Sequence, residues 1–185
     1  MMLAARSALK IDVLVDCDRW NDTEKLKSTV RRAVTRAAAV TGATGVEVAI
    51  VLTDDSAIRT LNRDWRGIDA ATNVLSFPAE DTHGDRHLGD IVLAFETIAR
   101  EARVERKPFA DHVVHLAVHG YLHLVGFDHD HEKEATAMEN VEREILRQLA
   151  IPDPYRPRTE PAAQRVAKDS AKGPAKRRVS RRSKS

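Results

Sequence analysis

The chain has 185 residues, enough for one domain with a sizeable core and an appendage but too few for two ordinary domains. One cysteine excludes an intramolecular disulfide framework, and an aromatic content of 4% requires a mostly aliphatic core. The net charge is only +2, and no apolar stretch has the length of a membrane span or of a secretory signal. We therefore expect a cytoplasmic protein built by α/β or α+β layer packing.

The first part of the chain predicts two strands separated by a long helix. Lys10–Val15 alternates apolar and polar residues before it becomes apolar, as a strand does. Asn21–Glu24 has the pattern of a helix start, and apolar residues recur at helical spacing from there to Gly42. Val46–Leu52 is rich in β-branched residues and predicts a second, mostly buried strand.

The middle of the chain predicts a short helix, an edge strand and a loop. The helix is expected to end at Asn62, and it carries Arg59, a residue type that is most often solvated on a helix surface. Trp65–Asp69 is rich in turn-forming residues. Thr72–Pro78 contains a brief strand at a sheet edge, because its proline would stop a strand ladder. Glu80–His87 is a polar loop, and its two histidines receive no role.

The second half predicts one strand and three helices. Leu88–Ala94 is a strand, and Glu96–Val104 is a short helix after it. Phe109–Val125 is a helix with apolar residues around most of its circumference, so it must lie centrally. Glu132–Leu149 has one apolar stripe for the core, with Glu142 outside that stripe.

The end of the chain differs in composition from the rest. From Ile151 to Ser185 there are eleven basic and three acidic residues and no apolar periodicity. We expect a folded domain over residues 1–155 and a disordered basic tail over residues 156–185. The tail would have weak attraction to polyanions, or no role.

Three histidines between His119 and His129 are spaced to reach one metal ion. His119 and His123 are four residues apart, so they share one face of a helix. Gly126 stands where a helix C′ residue adopts the left-handed conformation, and the turn can bring His129 to the same point. Three nitrogen ligands with an open fourth position are typical of catalytic zinc sites, whereas structural sites usually have four ligands rich in cysteine.

Neighbouring histidines leave alternatives for this ligand set. His115 lies one turn before His119, but three histidines along one helix diverge by about 80° and do not easily aim at one ion. We therefore expect His115 beside the site. His131 is an alternative to His129, which the glycine spacing favours, and His112 is expected at the exposed end of the helix.

The spacing also matches the metzincin peptidases, with one difference. Those enzymes carry a glutamate directly after the first histidine as their general base, and this chain has Gly120 there. The ligand geometry would survive this difference, but peptidase chemistry would lose its proton acceptor.

Further blocks of sequence accompany the histidines. His-Gly-x-Leu-His-Leu-x-Gly-Phe-Asp-His fills positions 119 to 129, and the other blocks are Ile58–Asn62, Arg66–Gly67, Thr72–Pro78, Leu88–Ile91, Met138–Glu139 and Pro154–Tyr155. In this order they resemble the YbeY family of bacterial endoribonucleases, over about Ile11 to Tyr155. One departure is Asn73, where many members carry aspartate.

The resemblance implies an α+β fold, a single domain with a small, mostly four-stranded mixed sheet packed against about five helices. It also implies one Zn²⁺ ion held by His119, His123 and His129. Arg59 would be catalytic, because a guanidinium can bind a phosphate through two donors. Whether Asp128 or Asp130 accepts a proton stays open.

The implied activity is zinc-dependent, single-strand-specific endoribonuclease cleavage in ribosomal RNA maturation, including 16S rRNA 3′-end processing and ribosome quality control. The implied partners are single-stranded RNA and ribosomal RNA, with proteins of the small ribosomal subunit as further candidates, and neither a membrane nor DNA. Two other hypotheses stay open. One is a non-catalytic ribosome-assembly factor with structural zinc, and the less favoured one is a metallopeptidase.

Overall fold

The computed structural model describes residues 9–20, 23–44, 46–79, 87–129 and 131–156, which form four strands and five helices. In chain order these are β1 (Lys10–Val15), α1 (Thr23–Thr41), β2 (Glu47–Thr53), α2 (Asp55–Arg66), β3 (Val74–Pro78), β4 (His87–Ala94), α3 (Phe95–Val104), α4 (Phe109–Leu124) and α5 (Glu132–Gln148). The α+β class that the sequence and its resemblance predict is confirmed.

The four strands form one mixed sheet in the order β1-β2-β4-β3. β1 is parallel to β2, with α1 as the crossover between them, and β2 is parallel to β4. β3 is antiparallel to β4 and lies at the edge of the sheet. The predicted edge position of this strand is confirmed, and its last residue is Pro78, which cannot donate to a further ladder bond.

Two hydrophobic cores lie on opposite faces of the sheet, because successive side chains of a strand point to opposite sides. In β4, Ile91 and Leu93 belong to the larger core, together with buried residues of α1 and α4. Val92 and Ala94 belong to the smaller core, which also contains Ile58 of α2. The sheet therefore separates α2 from α4.

Helix α4 lies within the larger core, where ten of its sixteen residues are buried. This confirms the prediction that the helix is central. A Cβ atom built on Gly120 would lie 2.8 Å from Cγ2 of Ile91 and 3.0 Å from Oγ of Ser76. The Ser76 hydroxyl donates a hydrogen bond of 3.0 Å to the carbonyl oxygen of Gly120. The glycine thus lets the helix backbone rest directly on β3 and β4.

Helix α2 is longer than the sequence analysis expected. Asp54 caps its start, because its side chain accepts a hydrogen bond from the backbone N–H of Ala57. The helix continues past Asn62 to Arg66, because Gly67 supplies the left-handed C′ residue with φ 72°. Trp65 and Arg66, which were expected in a turn, therefore belong to the last turn of a helix.

Some predicted features fall on residues outside the described ranges. These are the helix start at Asn21 and Asp22, the loop at 80–86, Asp130, and the basic tail at 157–185. Among the helices of the described ranges, none combines the length and apolar character that crossing a membrane requires.

Candidate metal centre

Three histidine side chains converge at the C-terminal end of α4. His119 and His123 are one turn apart, and their Nε2 atoms lie 3.2 Å from each other. Gly126 follows the helix with φ 89°, a left-handed conformation that turns the chain back. His129 then joins the other two, and one ring nitrogen from each residue lies within 4.8 Å of the others. The structure therefore brings together the three histidines that the sequence singled out.

The separations between these nitrogens fit one metal ion. Two nitrogen ligands at about 2.0–2.1 Å from a tetrahedral zinc ion are about 3.3 Å apart. The 3.2 Å between the Nε2 atoms of His119 and His123 is close to this value. The ring of His129 lies 5.0 Å from that of His123 and 5.6 Å from that of His119, and it is exposed. The described residues thus form a group that could hold a metal ion with one side open.

A buried carboxylate orients His119. The side chain of Glu142 on α5 has no exposed surface, and its Oε1 lies 2.8 Å from Nδ1 of His119. An ionised carboxylate can only accept, so Nδ1 carries the proton and Nε2 keeps its lone pair for a metal. The expectation that Glu142 lies outside the core is wrong, because the polar partners of this carboxylate lie in the interior.

Hydrogen bonds keep Glu142 ionised despite its burial. Burial alone raises the pKa of a carboxyl group, but the adjacent His115 ring and the hydrogen bonds from His119 and Tyr155 outweigh this effect and lower the pKa of Glu142 to about 2. The Tyr155 hydroxyl donates to Oε2. Burial and the bond to the Glu142 carboxylate raise the pKa of Tyr155, so this hydroxyl remains a donor.

The contact between His115 and Glu142 is the weakest of these three. Nε2 of His115 lies 3.5 Å from Oε2, and neither ring nitrogen of His115 has a hydrogen-bond partner within the described ranges. The ring of His115 is 6.4 Å from that of His119 and packs edge-on against Tyr155 at 5.7 Å. His115 therefore stands beside the three-nitrogen group, and exposed His131, just before α5, is not part of that group either.

His123 is held in the neutral form that metal binding requires. Its partial burial, and then the neighbouring His119 and His129, lower the pKa of His123. A neutral imidazole offers a lone pair at neutral pH without first releasing a proton.

The three histidines line a cavity of about 660 Å³. Its other walls include Arg66 at the end of α2, Asn73 and Ser76 at β3, and Asp128 after α4. Arg66 forms no ion pair within the part of the chain that the structure describes. The cavity therefore combines imidazole nitrogens with a guanidinium that has no carboxylate partner there, which suits an anionic ligand.

Arg59 is not among the residues that line this cavity. Its Nε and Nη2 atoms bond the two carboxylate oxygens of Asp69 at 2.7 and 2.8 Å. Arg59 and Arg66 are two helical turns apart, so they share a face of α2 at a spacing of about 10 Å. Arg66 was not named as a candidate site residue from the sequence, because the predicted helix ended at Asn62, although Gly67 indicated a later end. The catalytic role of Arg59 stays a prediction.

Asp128 fixes the loop that carries the third histidine. Its Oδ1 accepts a hydrogen bond of 2.7 Å from the backbone N–H of His129, and its side chain is exposed. This local bond stabilises the backbone conformation that directs His129 toward the other two histidines. Asp128 therefore already has a positioning role, whether or not it also accepts a proton.

Behind the cavity, a chain of polar contacts leads into the protein. The amide of Asn73 donates to the two carboxylate oxygens of Glu101 at 3.0 and 3.3 Å, and Nε2 of His112 lies 2.9 Å from the same carboxylate. His112 is only 4% exposed, so the expectation that it lies at an exposed helix end is wrong. The hydrogen bond with Glu101 satisfies one of the two buried ring nitrogens of His112.

Comparisons with known proteins identify the family of the chain. The family model described as Endoribonuclease YbeY matches residues 15–150. A protein of that description from Rhodopseudomonas palustris is 52% identical over 152 residues, which cover 78% of this chain and 90% of that protein. Another, from Nitrobacter winogradskyi, is 51% identical over 162 residues, covering 82% of this chain and 85% of that protein. The chain therefore belongs to the YbeY family of endoribonucleases, which are hydrolases.

Proposed function

We propose that this enzyme is a zinc-dependent endoribonuclease that cuts single-stranded RNA during ribosomal RNA maturation. The observation that carries the proposal is the convergence of three imidazoles and the Arg66 guanidinium in one cavity. Three neutral nitrogen donors with an open position suit a catalytic zinc ion, and a guanidinium suits a phosphate. The relatives described as endoribonucleases supply RNA as the substrate class.

Each residue of the site has a separate task in this proposal. His119, His123 and His129 would hold one zinc ion, which when bound supplies a Lewis acid for phosphodiester cleavage. Glu142 keeps His119 in the tautomer that presents Nε2. Arg66 binds the scissile phosphate and stabilises the negative charge that develops on it during cleavage.

Arg59 and Asp128 complete the proposed site. Arg59 would bind a neighbouring backbone phosphate. For this it must give up its ion pair with Asp69, and the side chains of both residues are more than half exposed. Among the described residues that line the cavity, Asp128 is the only one with a carboxylate. It is therefore the described candidate for accepting a proton from the attacking nucleophile.

The first test compares two histidine variants. His119→Ala should lose bound zinc and the cleavage of a single-stranded RNA, because it removes one of three ligands. His131→Ala is the matched control, since it removes a nearby exposed imidazole outside the group. Metal content by mass spectrometry and cleavage of single-stranded and duplex RNA would be measured for both. Full cleavage by His119→Ala, with contaminating nuclease excluded, would refute the proposed metal dependence.

A second test assigns the phosphate contact to one of the two arginines. Arg66→Gln should keep its zinc and lose about 100-fold or more in kcat, as when other transition-state donors are removed. Arg59→Gln should have the smaller effect, mainly on KM. A larger loss of kcat in Arg59→Gln than in Arg66→Gln would instead make Arg59 the primary phosphate ligand.

The two competing functions make different predictions. A metallopeptidase needs a base beside the metal, but Gly120 faces the sheet at a distance that leaves no room for a side chain. Proteolysis of casein that disappears in His123→Ala would nevertheless favour it. A non-catalytic assembly factor would bind ribosomal RNA without cutting it, in wild type and Arg66→Gln alike.

The finer biological assignment is also part of the proposal. We infer action at the 3′ end of 16S ribosomal RNA and in ribosome quality control, with proteins of the small subunit as possible contacts. Residues 156–185 would form a basic tail outside the catalytic domain of residues 1–155. The charge of that tail supports weak, salt-dependent attraction to RNA.

A further inference from the structure

One of the two tryptophans of the chain is exposed to an unusual degree. Trp20 is 2% exposed and donates a hydrogen bond of 2.9 Å to the carbonyl oxygen of Thr53. Trp65 is 73% exposed, and among the large hydrophobic side chains of the described ranges only Val104, at 77%, exceeds it. An indole ring that gains so little from burial is available for an external partner.

Trp65 lies one residue from the candidate active-site cavity, beside the edge strand β3. Along the chain it directly precedes Arg66, which lines the cavity. In space its ring packs against Phe77, at a centroid distance of 5.8 Å and an angle of 62°. Phe77 stands between Ser76 and Pro78, which line the cavity, but its own side chain points to the other face of β3 and packs against the smaller core. The indole therefore lies on the α2 side of this edge strand, one residue from Arg66, and most of its surface stays exposed.

The charge next to Trp65 favours a polyanion as the binding partner over an apolar protein surface. Arg66 forms no ion pair within the described residues, and it is the next residue of the helix, about 100° further around the axis. A guanidinium with no ion pair in the described ranges, next to a largely exposed indole, matches the two parts of a nucleotide, a phosphate and a flat base. Proteins that bind single-stranded RNA use this combination, with bases stacked on aromatic rings.

We propose that Trp65 stacks on an unpaired RNA base while Arg66 holds the adjacent backbone phosphate, so that Trp65 favours single-stranded substrates. The proposal rests on the proposed endoribonuclease function and deepens it. In a duplex both faces of a base are covered by its neighbours, whereas an unpaired base can present a face to the indole. The structure thus assigns the selection of unpaired RNA to a residue outside the metal-binding group.

Kinetics with single-stranded RNA give the first test. Trp65→Ala should raise KM for a short single-stranded RNA by about 5- to 150-fold, the range expected for the loss of one stacked base. Its kcat and zinc content should stay near the wild-type values, because Trp65 does not contact the histidines. Trp65→Phe should recover much of the loss, since it restores an aromatic face. Val104→Ala, which truncates an equally exposed side chain on α3, should behave as wild type.

Tryptophan fluorescence gives a direct readout of stacking. The zinc-loaded wild type would be titrated with a single-stranded oligonucleotide and with an abasic oligonucleotide of the same length and charge. Only the oligonucleotide with bases should quench the exposed Trp65, and in Trp65→Ala the buried Trp20 should not respond. Equal quenching by both oligonucleotides would show a phosphate effect and overturn the stacking proposal.

Other outcomes distinguish the stacking proposal from the proposed endoribonuclease function on which it rests. If wild type cleaves RNA and Trp65→Ala has an unchanged KM, the stacking proposal is overturned and the endoribonuclease function stands. If Trp65→Ala instead changes the oligomeric state with unchanged RNA affinity, Trp65 belongs to a protein interface and stacking is again overturned. If the zinc-loaded wild type neither binds nor cleaves RNA, the proposed function itself fails.

Discussion

Replacing Glu142 by glutamine tests whether the buried carboxylate sets the metal affinity of His119. The substitution keeps the shape of the side chain and removes its charge, at a position with no solvent exposure. His119 and Tyr155 donate to different oxygens of the carboxylate, and in a glutamine amide only one of these two positions keeps an acceptor. The hydrogen bond from Nδ1 of His119 then has a neutral acceptor or is lost.

The size of the effect follows from the bond at 2.8 Å. Hydrogen bonds to charged groups contribute about 1.5–3 kcal/mol, and neutral ones about 0.5–1.5 kcal/mol. The exchange should therefore cost about 1–2 kcal/mol, which is about 5- to 30-fold in zinc affinity. This range overlaps the about 10- to 100-fold losses that follow when partners of metal-bound histidines are removed.

Zinc affinity would be measured by competition with a chromophoric chelator at one neutral pH. Glu144→Gln is the matched control, because Glu144 lies two residues further on the same helix and pairs with Arg147, away from the histidines. Its zinc affinity should equal that of wild type. If Glu142→Gln keeps wild-type zinc affinity and changes only the thermal unfolding midpoint, Glu142 is merely structural and the reasoning is refuted.

Three further predictions concern the scaffold and the tail. Gly120→Ala should lower the free energy of unfolding by about 1–3 kcal/mol in urea titrations, since the new methyl group overlaps the sheet; an unchanged value would contradict the close packing. Burial raises the pKa of Glu101, but the hydrogen bonds from His112 and Asn73 have the larger, opposite effect. The pKa of Glu101 therefore lies below its ordinary value of 4.5. The ionised Glu101 therefore stabilises the folded state above pH 4.5, and this contribution is lost as the pH falls through the lowered pKa. The difference in unfolding free energy between wild type and Glu101→Gln should therefore shrink on acidification. Deleting residues 157–185 should reduce the salt dependence of RNA binding while cleavage persists, and loss of cleavage would place the tail in the catalytic unit.

The histidine group could be predicted because its geometry is local. Two ligands are four residues apart on one helix, and the turn to His129 depends on a glycine that stands directly after that helix. The edge position of β3 was equally accessible, since the restriction imposed by proline is a property of the residue itself. Such features need no knowledge of distant contacts.

The partners of the histidines depend on contacts between distant parts of the chain. Glu142 is 23 residues from His119, and an apolar stripe on α5 gives no hint that a glutamate beside it turns inward. Arg66 was missed for a different reason. Trp65–Asp69 was predicted to be a turn-rich connection, although Gly67 can end α2 in the same way that Gly126 follows α4. The resemblance names Arg59 as the functional arginine, which stays a prediction, and the cavity adds Arg66 as a second candidate.

The hydrogen bond from Tyr155 to Glu142 has a practical consequence for truncating the protein. The last helix ends at Gln148, and a boundary chosen by secondary structure would be placed just after it. Such a boundary would remove the hydroxyl that donates to Glu142, and with it the ring that lies 4.8 Å from the guanidinium carbon of Arg143. The carboxylate behind His119 would lose a donor although every helix and strand remained. A minimal unit that keeps the three histidines and their hydrogen-bond partners therefore extends at least through Tyr155.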